Sequence, residues 1–326
     1  MKRQLLLIFT TMMAICSHAQ DYVYTTDFST SEEGANNGET IVGSGQFVST
    51  NEEGAIFNNY YQNDGSRKRT SYCLLPEDVL AHSATSKELS IAFWVNAEGL
   101  TPNQYTYSPF FAAYTGAPNN GKNSYPMMIL QSRGNVQVNC NGWCDFTPAN
   151  NVAGKNNIYN DNAWEASDNS YNKCGNWLED EKWHYYTAVF TETNVKVYLD
   201  GEVKNEWNID GKSDGQVISG LFSNGAELKY VCVGGNQAWD WNDNDSPFRY
   251  AHLLITNKAM TPEAIKAQIK TDFGDNFDDY LTSIKTIKSD KSNSSRYNLS
   301  GQQVTTDYKG IVIMQGQTVL INEDTP

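Results

Sequence analysis

The stretch WHYYTAVFTETNVKVYLDGEVKN, Trp183 to Asn205, decides the fold class of this chain. Val195, Val197 and Leu199 alternate with more polar residues, which is the period-two pattern of a half-buried strand. Asp200-Gly201 then supplies a two-residue turn, because Gly tolerates the positive φ that such a hairpin requires. The stretch therefore predicts two amphipathic strands and the start of a third.

Similar short runs recur along the chain with turn residues between them. They cover residues 22–28, 55–58, 71–75, 89–96, 109–114, 127–131, 136–140, 184–191, 228–233 and 250–256. Many short strands at this spacing predict an all-β, two-sheet antiparallel sandwich.

One short helix is predicted near residues 262–272. Thr261 suits the N-cap and Pro262 the first helical position. Ile265, Ile269 and Phe273 fall on one face of the helix, which gives it an apolar side to bury.

Three ordered segments resemble the laminin-G-like, concanavalin-A-like jelly-roll superfamily. They are Leu89–Val95 (LSIAFWV), the Trp183-His184 pair with its following hairpin, and Tyr250–Thr261 (YAHLLITNKAMT). The resemblance covers roughly residues 21–280 and implies a jelly-roll sandwich in which Trp183-His184 is a fold marker. In one departure, Ala251 and His252 stand where the family has an acidic pair. Such domains bind glycans in many cases and cleave them in some, so the fold alone does not decide the activity.

The two ends of the chain predict export. Residues 1–19 combine a basic start, an apolar run and a small-x-small cleavage site, which is typical of a signal peptide. The sandwich domain is then predicted over residues 20–282, a polar linker over 283–296, and a small β tail over 297–326. That tail resembles the sorting tails of type IX secretion cargo, and its alternative interpretation is a small packed β-module. The expected location is extracellular or on the outer cell surface, with the periplasm as the alternative.

The charge balance excludes several classes of partner. The chain carries 38 Asp and Glu against 24 Lys and Arg, a formal net charge of −14. An acidic surface without a basic cluster argues against nucleic acid and anionic membranes as partners. Beyond the leader, no segment approaches the roughly 18 apolar residues that a membrane span needs. The sequence gives no indication of the oligomeric state.

The cysteines predict one disulfide bond. An oxidising compartment permits disulfides, and five cysteines remain after the leader is removed. We predict a bond from Cys174 to Cys140 or to Cys144, and the sequence does not choose between them. Cys73 and Cys232 lie in apolar strands and are interpreted as small core residues.

No sequence motif for catalysis is present. A retaining glucanase of this fold needs two carboxylates about 5 Å apart, which appear as E-x-D-x-x-E on one strand. Neither that motif nor a lyase pattern occurs in the chain. The enzyme question is therefore left open, and a non-catalytic role is favoured.

A loop rich in acids suggests calcium. Asp240, Asp243 and Asp245, with Asn242 among them, concentrate the oxygen donors that a hard cation requires. The same residue types also form turns without any ion. Calcium is thus a candidate cofactor and no other cofactor is indicated.

Aromatic and amide residues cluster in two loops. The candidate stacking residues are Trp143, Trp164, Trp177, Trp239 and Trp241, with Asn242 as a hydroxyl partner. Sugars stack their C–H faces on flat rings, while Asn and Asp bind their hydroxyls.

These residues predict a secreted or surface-displayed, non-catalytic carbohydrate-binding or adhesion module that engages a polysaccharide or a glycosylated partner. The first alternative is a glycoside hydrolase or polysaccharide lyase, and the second is a structural surface protein without a small ligand.

Overall fold

A computed structural model describes most strands of the chain together with their short connections. The described residues are 21–29, 38–52, 54–63, 71–97, 109–115, 126–132, 135–140, 181–208, 221–234, 248–283, 296–300, 302–304, 310–314 and 317–321. The chain divides into two compact units, Met1–Ile269 and Lys270–Pro326.

The first sheet of the larger unit, sheet A, has eight antiparallel strands in the order β12-β11-β10-β6-β14-β4-β3, with β1 also paired to β14. Its strands are β1 (Val23–Thr26), β3 (Gln46–Ser49), β4 (Asn59–Gln62), β6 (Glu88–Asn96), β10 (Trp183–Thr191), β11 (Asn194–Leu199), β12 (Glu202–Asn208) and β14 (Arg249–Thr256).

The second sheet, sheet B, has six strands in the order β2-β5-β13-β7-β8-β9. They are β2 (Thr40–Val42), β5 (Tyr72–Leu74), β7 (Pro109–Tyr114), β8 (Pro126–Ser132), β9 (Asn135–Cys140) and β13 (Tyr230–Val233). All described pairings in both sheets are antiparallel. The predicted all-β, two-sheet antiparallel sandwich is thus confirmed.

The main core contains inward-facing side chains from both sheets. On β6, Leu89, Ile91, Phe93 and Val95 belong to one buried cluster with sheet B residues such as Phe111. Because strand side chains alternate, Trp94 and Asn96 lie on the opposite face of sheet A, which we call its outer face. This face carries the candidate site described below.

The predicted hairpin is confirmed, since Asp200-Gly201 joins β11 to β12. Asp200 has φ 55° and Gly201 φ 79°, so both central residues have the positive φ of a type I′ turn. The Asp200 carboxylate accepts from the backbone N–H of Tyr185 at 2.9 Å and lies 2.7 Å from His184 Nδ1. His184 is buried, as expected of a fold marker, and it fixes the turn to β10.

The predicted helix is also confirmed, and the structure adds shorter helical segments, including one at residues 221–227. Helix α2 covers Pro262–Phe273, with Ile265 and Ile269 buried. Helix α1 (Ser83–Ser86) and helix α3 (Phe277–Thr282) were not predicted, because a segment of one or two turns carries almost no periodicity. None of the described helices is long and apolar enough to cross a membrane.

The smaller unit contains a four-stranded antiparallel sheet, as expected of a small C-terminal β tail. Its order is β16-β15-β17-β18. The strands are β15 (Arg296–Asn298), β16 (Gln303–Val304), β17 (Gly310–Met314) and β18 (Gln317–Ile321). Residues 284–295 of the predicted linker lie outside the described residues, and the predicted domain boundaries and sorting role stay predictions.

Cys73 and Cys232 of the sandwich are reduced and buried. Cys73 faces the main core, whereas Cys232 on the adjacent strand belongs to a second cluster with Tyr72 and Tyr114. Their side chains therefore leave sheet B on opposite faces. Both are small core residues, as the sequence indicated, and burial raises the pKa of the Cys73 thiol.

Candidate functional site

The residues predicted to bind a ligand lie outside the described part of the chain. These are Trp143, Trp164, Trp177, Trp239, Trp241 and Asn242, and the same holds for the candidate calcium ligands Asp240, Asp243 and Asp245. Cys144 and Cys174 also lie outside it, and only the backbone of Cys140, at the end of β9, is described. The stacking residues, the calcium site and the disulfide therefore stay predictions.

The described chain nevertheless shows where the two predicted loops end. The segment that carries Trp143 to Trp177 leads directly into Trp183 of β10, and the segment that carries Trp239 to Trp241 leads into Arg249 of β14. Asn96 of β6 pairs with Trp183 on one side and with Arg249 on the other. Since neighbouring strands lie about 4.8 Å apart, both loops end within about 10 Å of each other on sheet A.

The same register continues across the sheet as a row of polar side chains. Arg249 pairs with Gln62 of β4, and Gln62 pairs with Gln46 of β3. We call Asn96, Arg249, Gln62 and Gln46 the polar row. Each one is adjacent in its strand to a side chain of the core cluster, namely Val95, Tyr250, Tyr61 and Phe47, so the polar row lies on the outer face.

Exposure increases along the polar row. Asn96 is buried, and its amide donates to the backbone oxygen of Glu181 at 2.8 Å. Arg249 and Gln62 are half-buried, and Gln46 is exposed. The row therefore offers hydrogen-bonding groups to solvent from rigid strands rather than from loops.

Aromatic side chains pack beside the polar row on the same outer face. We call them the aromatic cluster, and its members are Phe57, Tyr60, Trp94, Trp183, Tyr185 and His252. The Phe57 ring is at its centre, with centroids 5.1 Å from Trp94, 5.0 Å from Trp183 and 4.9 Å from His252. Trp94 also contacts Tyr185 at 5.0 Å, and Trp183 contacts Tyr60 at 6.1 Å.

Phe57 reaches the outer face because the loop between β3 and β4 folds back over the sheet. The loop is closed by a hydrogen bond from Thr50 N to Asn58 O at 2.8 Å. Phe57 itself is 4% exposed, whereas Tyr60 and His252 are half-buried. The buried rings thus form a floor, and Tyr60 and His252 present part of their rings to solvent.

A β-bulge in β14 places His252 on this face. Ala251 pairs with Trp94 and Leu254 with Ala92, so His252 and Leu253 both oppose Phe93. His252 has φ 42°, a conformation that non-glycine residues rarely adopt. Regular alternation would direct its imidazole into the core, and the bulge turns it outward onto Phe57 instead.

Arg249 links the polar row to the aromatic cluster. Its guanidinium carbon lies 5.5 Å from the centroid of the Tyr60 ring. This distance is within the range of a cation–π contact, and a guanidinium that stacks on a ring keeps its N–H donors directed outward in its own plane. The site can therefore offer a planar set of donors next to apolar ring surface.

Two other polar contacts of the described chain involve tyrosine hydroxyls away from this face. The Tyr24 hydroxyl donates to the buried Glu39 carboxylate, and burial followed by this hydrogen bond raises the pKa of Tyr24. On sheet B, burial and the hydrogen bond with Tyr230 raise the pKa of Tyr72. Within the described ranges, no group of three or more His, Cys, Asp or Glu side chains is arranged to hold a metal ion.

Sequence reasoning did not identify Tyr60, Gln62, Gln46 or Arg249 as site residues, and it took Trp183 only as a fold marker. In the sequence, each of these residues shows only the alternation with core residues that is typical of any strand. Only the register between strands far apart in the sequence brings them together, and a single sequence does not encode that register locally.

No family model matches this chain, and no curated protein matches it. Among solved structures, it is similar to domain 4 of an extracellular arabinanase from Geobacillus stearothermophilus, solved with arabinotriose. The identity is 14%, the match covers 72% of this chain and 90% of that chain, and the TM-score is 0.43.

It is also similar to the receptor-binding domain of a botulinum neurotoxin C/D mosaic serotype, at 12% identity and a TM-score of 0.47, covering 93% of this chain and 62% of that one. A structure of botulinum neurotoxin type C gives 14% identity and a TM-score of 0.46, and the match covers 85% of this chain and 55% of that one. The chain thus spans less than two thirds of these toxin chains. At such identities and scores the likenesses carry no argument about what this chain binds.

Proposed function

We propose that this chain is an exported, non-catalytic module that binds glycans on the outer face of sheet A. The observation that carries the proposal is the polar row beside the aromatic cluster. Sugar recognition requires hydroxyl partners next to flat apolar surface, and this face supplies both from rigid strands.

The predicted loops support the same location. The segments with Trp143 to Trp177 and with Trp239 to Trp241 both rejoin sheet A at the polar row. The proposal therefore includes the predicted stacking residues of these two segments as well as the sheet face.

The composition of the site favours binding over cleavage. Hydrolysis with retention or inversion uses a pair of carboxyl groups on either side of the bond that is cut. The polar row consists of three amides and one guanidinium, and the aromatic cluster adds one imidazole. These groups bind hydroxyls without providing the acid and the nucleophile that such a mechanism needs.

The proposal also covers the family of the chain, its export and calcium binding. The strand markers support a place in the laminin-G-like, concanavalin-A-like superfamily. Residues 1–19 support export with cleavage near Ala19. N-terminal sequencing of the mature protein tests the cleavage, and retention of Met1 contradicts it. Calorimetry with and without EDTA tests calcium at Asp240, Asp243 and Asp245, and unchanged affinity after chelation contradicts a calcium-dependent site.

The function is tested with a glycan array followed by calorimetry on the full chain. We expect binding to at least one glycan and a loss of affinity of about tenfold for Tyr60→Ala, since stacking by one aromatic ring contributes about 1 kcal/mol or more. Tyr230→Ala is the matched control, because Tyr230 is another half-buried tyrosine of the same unit but lies on sheet B.

The outcomes separate the hypotheses. If binding survives Tyr60→Ala but is lost in Trp143→Ala or Trp241→Ala, the binding residues belong to the loops and not to the sheet face. The release of sugar fragments on incubation favours the hydrolase or lyase alternative. If no glycan binds, the structural surface protein is the remaining interpretation.

A further inference from the structure

We infer that the site on the outer face of sheet A recognises one end of a glycan chain rather than an internal segment. This inference rests on the proposed function and specifies the class of ligand for the same site. It starts from the exposure of the polar row, in which Asn96 is buried and Gln46 is exposed.

The polar row is closed at its β6 end. Asn96 is 2% exposed, and its amide donates to the backbone oxygen of Glu181 at 2.8 Å. Trp183, which pairs with Asn96 from β10, is 8% exposed. Neither side chain therefore offers the surface that a ligand needs, and a sugar that lies on the row cannot continue along it past Arg249 towards β10.

The polar row is open at its other end. Gln62 is half-buried on β4, and Gln46 is exposed on β3. Among the described strands of sheet A, β3 is the last in the order. Sugar units beyond Gln46 can therefore extend over this edge of the sheet into solvent.

A second row of side chains shows the same closure. It lies two residues along the strands from the polar row, at a distance of about 7 Å, and includes Trp94, Tyr60 and Val48. Trp94 is 0% exposed, whereas Tyr60 and Val48, which pair with each other, are half-buried. A sugar can thus place its hydroxyls on the amides and a C–H face on the Tyr60 ring, but only between β14 and β3.

The accessible part of the polar row is short. From Arg249 to Gln46 it crosses two strand spacings, or about 10 Å. One sugar ring covers about one strand spacing, so the row holds about three units of a chain that crosses the strands. A chain that ran along the strands would leave the amides after one unit. The row therefore matches a chain whose terminal unit lies at Arg249 and whose next units pass Gln62 and Gln46.

The experiment tests the two ends of the chain separately. The probes are the array glycans that bind, prepared as linear oligosaccharides of one to six units and titrated into the full chain by calorimetry. Affinity should rise up to about three units and then stay constant, because further units lie beyond the edge of the sheet.

Each hexasaccharide is also prepared with a polyethylene glycol tether on its reducing end or, separately, on its non-reducing end. One tether should weaken binding by at least about tenfold, because it prevents the terminal unit from reaching the closed end of the row. The other should leave the affinity within about twofold of the free sugar, because that end leaves the sheet over β3.

Gln46→Ala provides a second measurement. Gln46 lies at the open end, so its loss should weaken the trisaccharide by about fivefold and leave the disaccharide unchanged. Tyr60→Ala should weaken both. Gln268→Ala is the matched control and should change neither, because Gln268 is a glutamine of the same compact unit but belongs to helix α2. Melting temperatures of the three variants establish that the sandwich is folded.

Several results would overturn the inference. If both tethered hexasaccharides bind as tightly as the free one, the site takes an internal segment and only the glycan function stands. If both lose affinity, the site encloses the chain at both ends, which contradicts the open edge at β3. An unchanged trisaccharide affinity in Gln46→Ala shows that the chain does not leave over β3. If no glycan binds at all, both the inference and the proposed function are wrong.

Discussion

Replacement of Phe57 by Ala should damage both the stability of the sandwich and its glycan site. Phe57 is 4% exposed and contacts the rings of Trp94, Trp183 and His252 at centroid distances of 4.9–5.1 Å. Truncation of a buried Phe to Ala typically destabilises a protein by about 3–5 kcal/mol. Three aromatic contacts at about 0.5–1.5 kcal/mol each make up much of that sum, so we expect a loss of about 4 kcal/mol.

The assay is urea denaturation of the purified variant, combined with glycan binding well below its midpoint. Phe57→Leu keeps most of the apolar volume but loses the ring contacts, so we expect it to destabilise by about 2 kcal/mol, less than Phe57→Ala. Phe47→Ala is the control, since Phe47 packs against Phe28 and Tyr61 on the core side. It should lose stability and retain affinity. A folded Phe57→Ala variant with unchanged affinity would refute the role of the aromatic cluster.

Three further predictions concern residues of the sandwich outside the candidate site. Gly201→Ala should destabilise by more than Gly54→Ala in thermal melts, since both have positive φ but only a Cβ at Gly201 approaches helix α2, at 3.1 Å. The Cys73 thiol should not react with a thiol reagent at pH 8 unless denaturant is added, because burial raises its pKa. The hydrogen bond with Lys266 lowers the pKa of the exposed Glu202 carboxyl from its usual range. The Glu202–Lys266 pair stabilises the folded state when the pH lies above the pKa of Glu202 in the unfolded chain. This stabilisation is lost as the pH falls through the pKa of Glu202 in the folded protein. Lys266→Met should therefore make the melting temperature less dependent on acid pH.

The elements that the sequence predicted are those with a local cause. The Asp200-Gly201 turn follows from residues that tolerate positive φ, and helix α2 follows from Pro262 and the spacing of Ile265 and Ile269. Each of these signals lies within a dozen residues. The two-sheet sandwich could be predicted because many such local signals agree.

The candidate site has no local cause of this kind. Gln62, Asn96, Trp183 and Arg249 come from four separate strands, and only pairing across the sheet aligns them. The sequence also did not predict which loop covers this face, since nothing near Phe57 indicates that the loop between β3 and β4 folds over Trp94. Sequence reasoning therefore selected the tryptophan-rich loops and missed the strand face to which they connect.

The bulge at His252 is the feature of β14 that turns an imidazole ring towards the candidate site. Deletion of His252 tests the role of this bulge. Tyr250 and Leu253 both face the core although they are three positions apart, and strict alternation cannot bury both. The extra residue at φ 42° resolves this conflict, at a strain of about 1–3 kcal/mol. Deletion of His252 would restore alternation and relieve the strain.

The deletion also removes the ring contact with Phe57, which contributes about 0.5–1.5 kcal/mol. We therefore expect the shortened strand to fold with a stability within about 2 kcal/mol of the parent, because the two effects oppose each other. Glycan affinity should fall, since one of the two half-buried rings of the aromatic cluster that face solvent is lost with His252. Urea denaturation and calorimetry measure the two quantities on the same sample. If the deletion abolishes folding, β14 requires the bulge for its register. If it leaves affinity intact, the bulge serves packing alone, because the imidazole that it turns outward then has no part in binding.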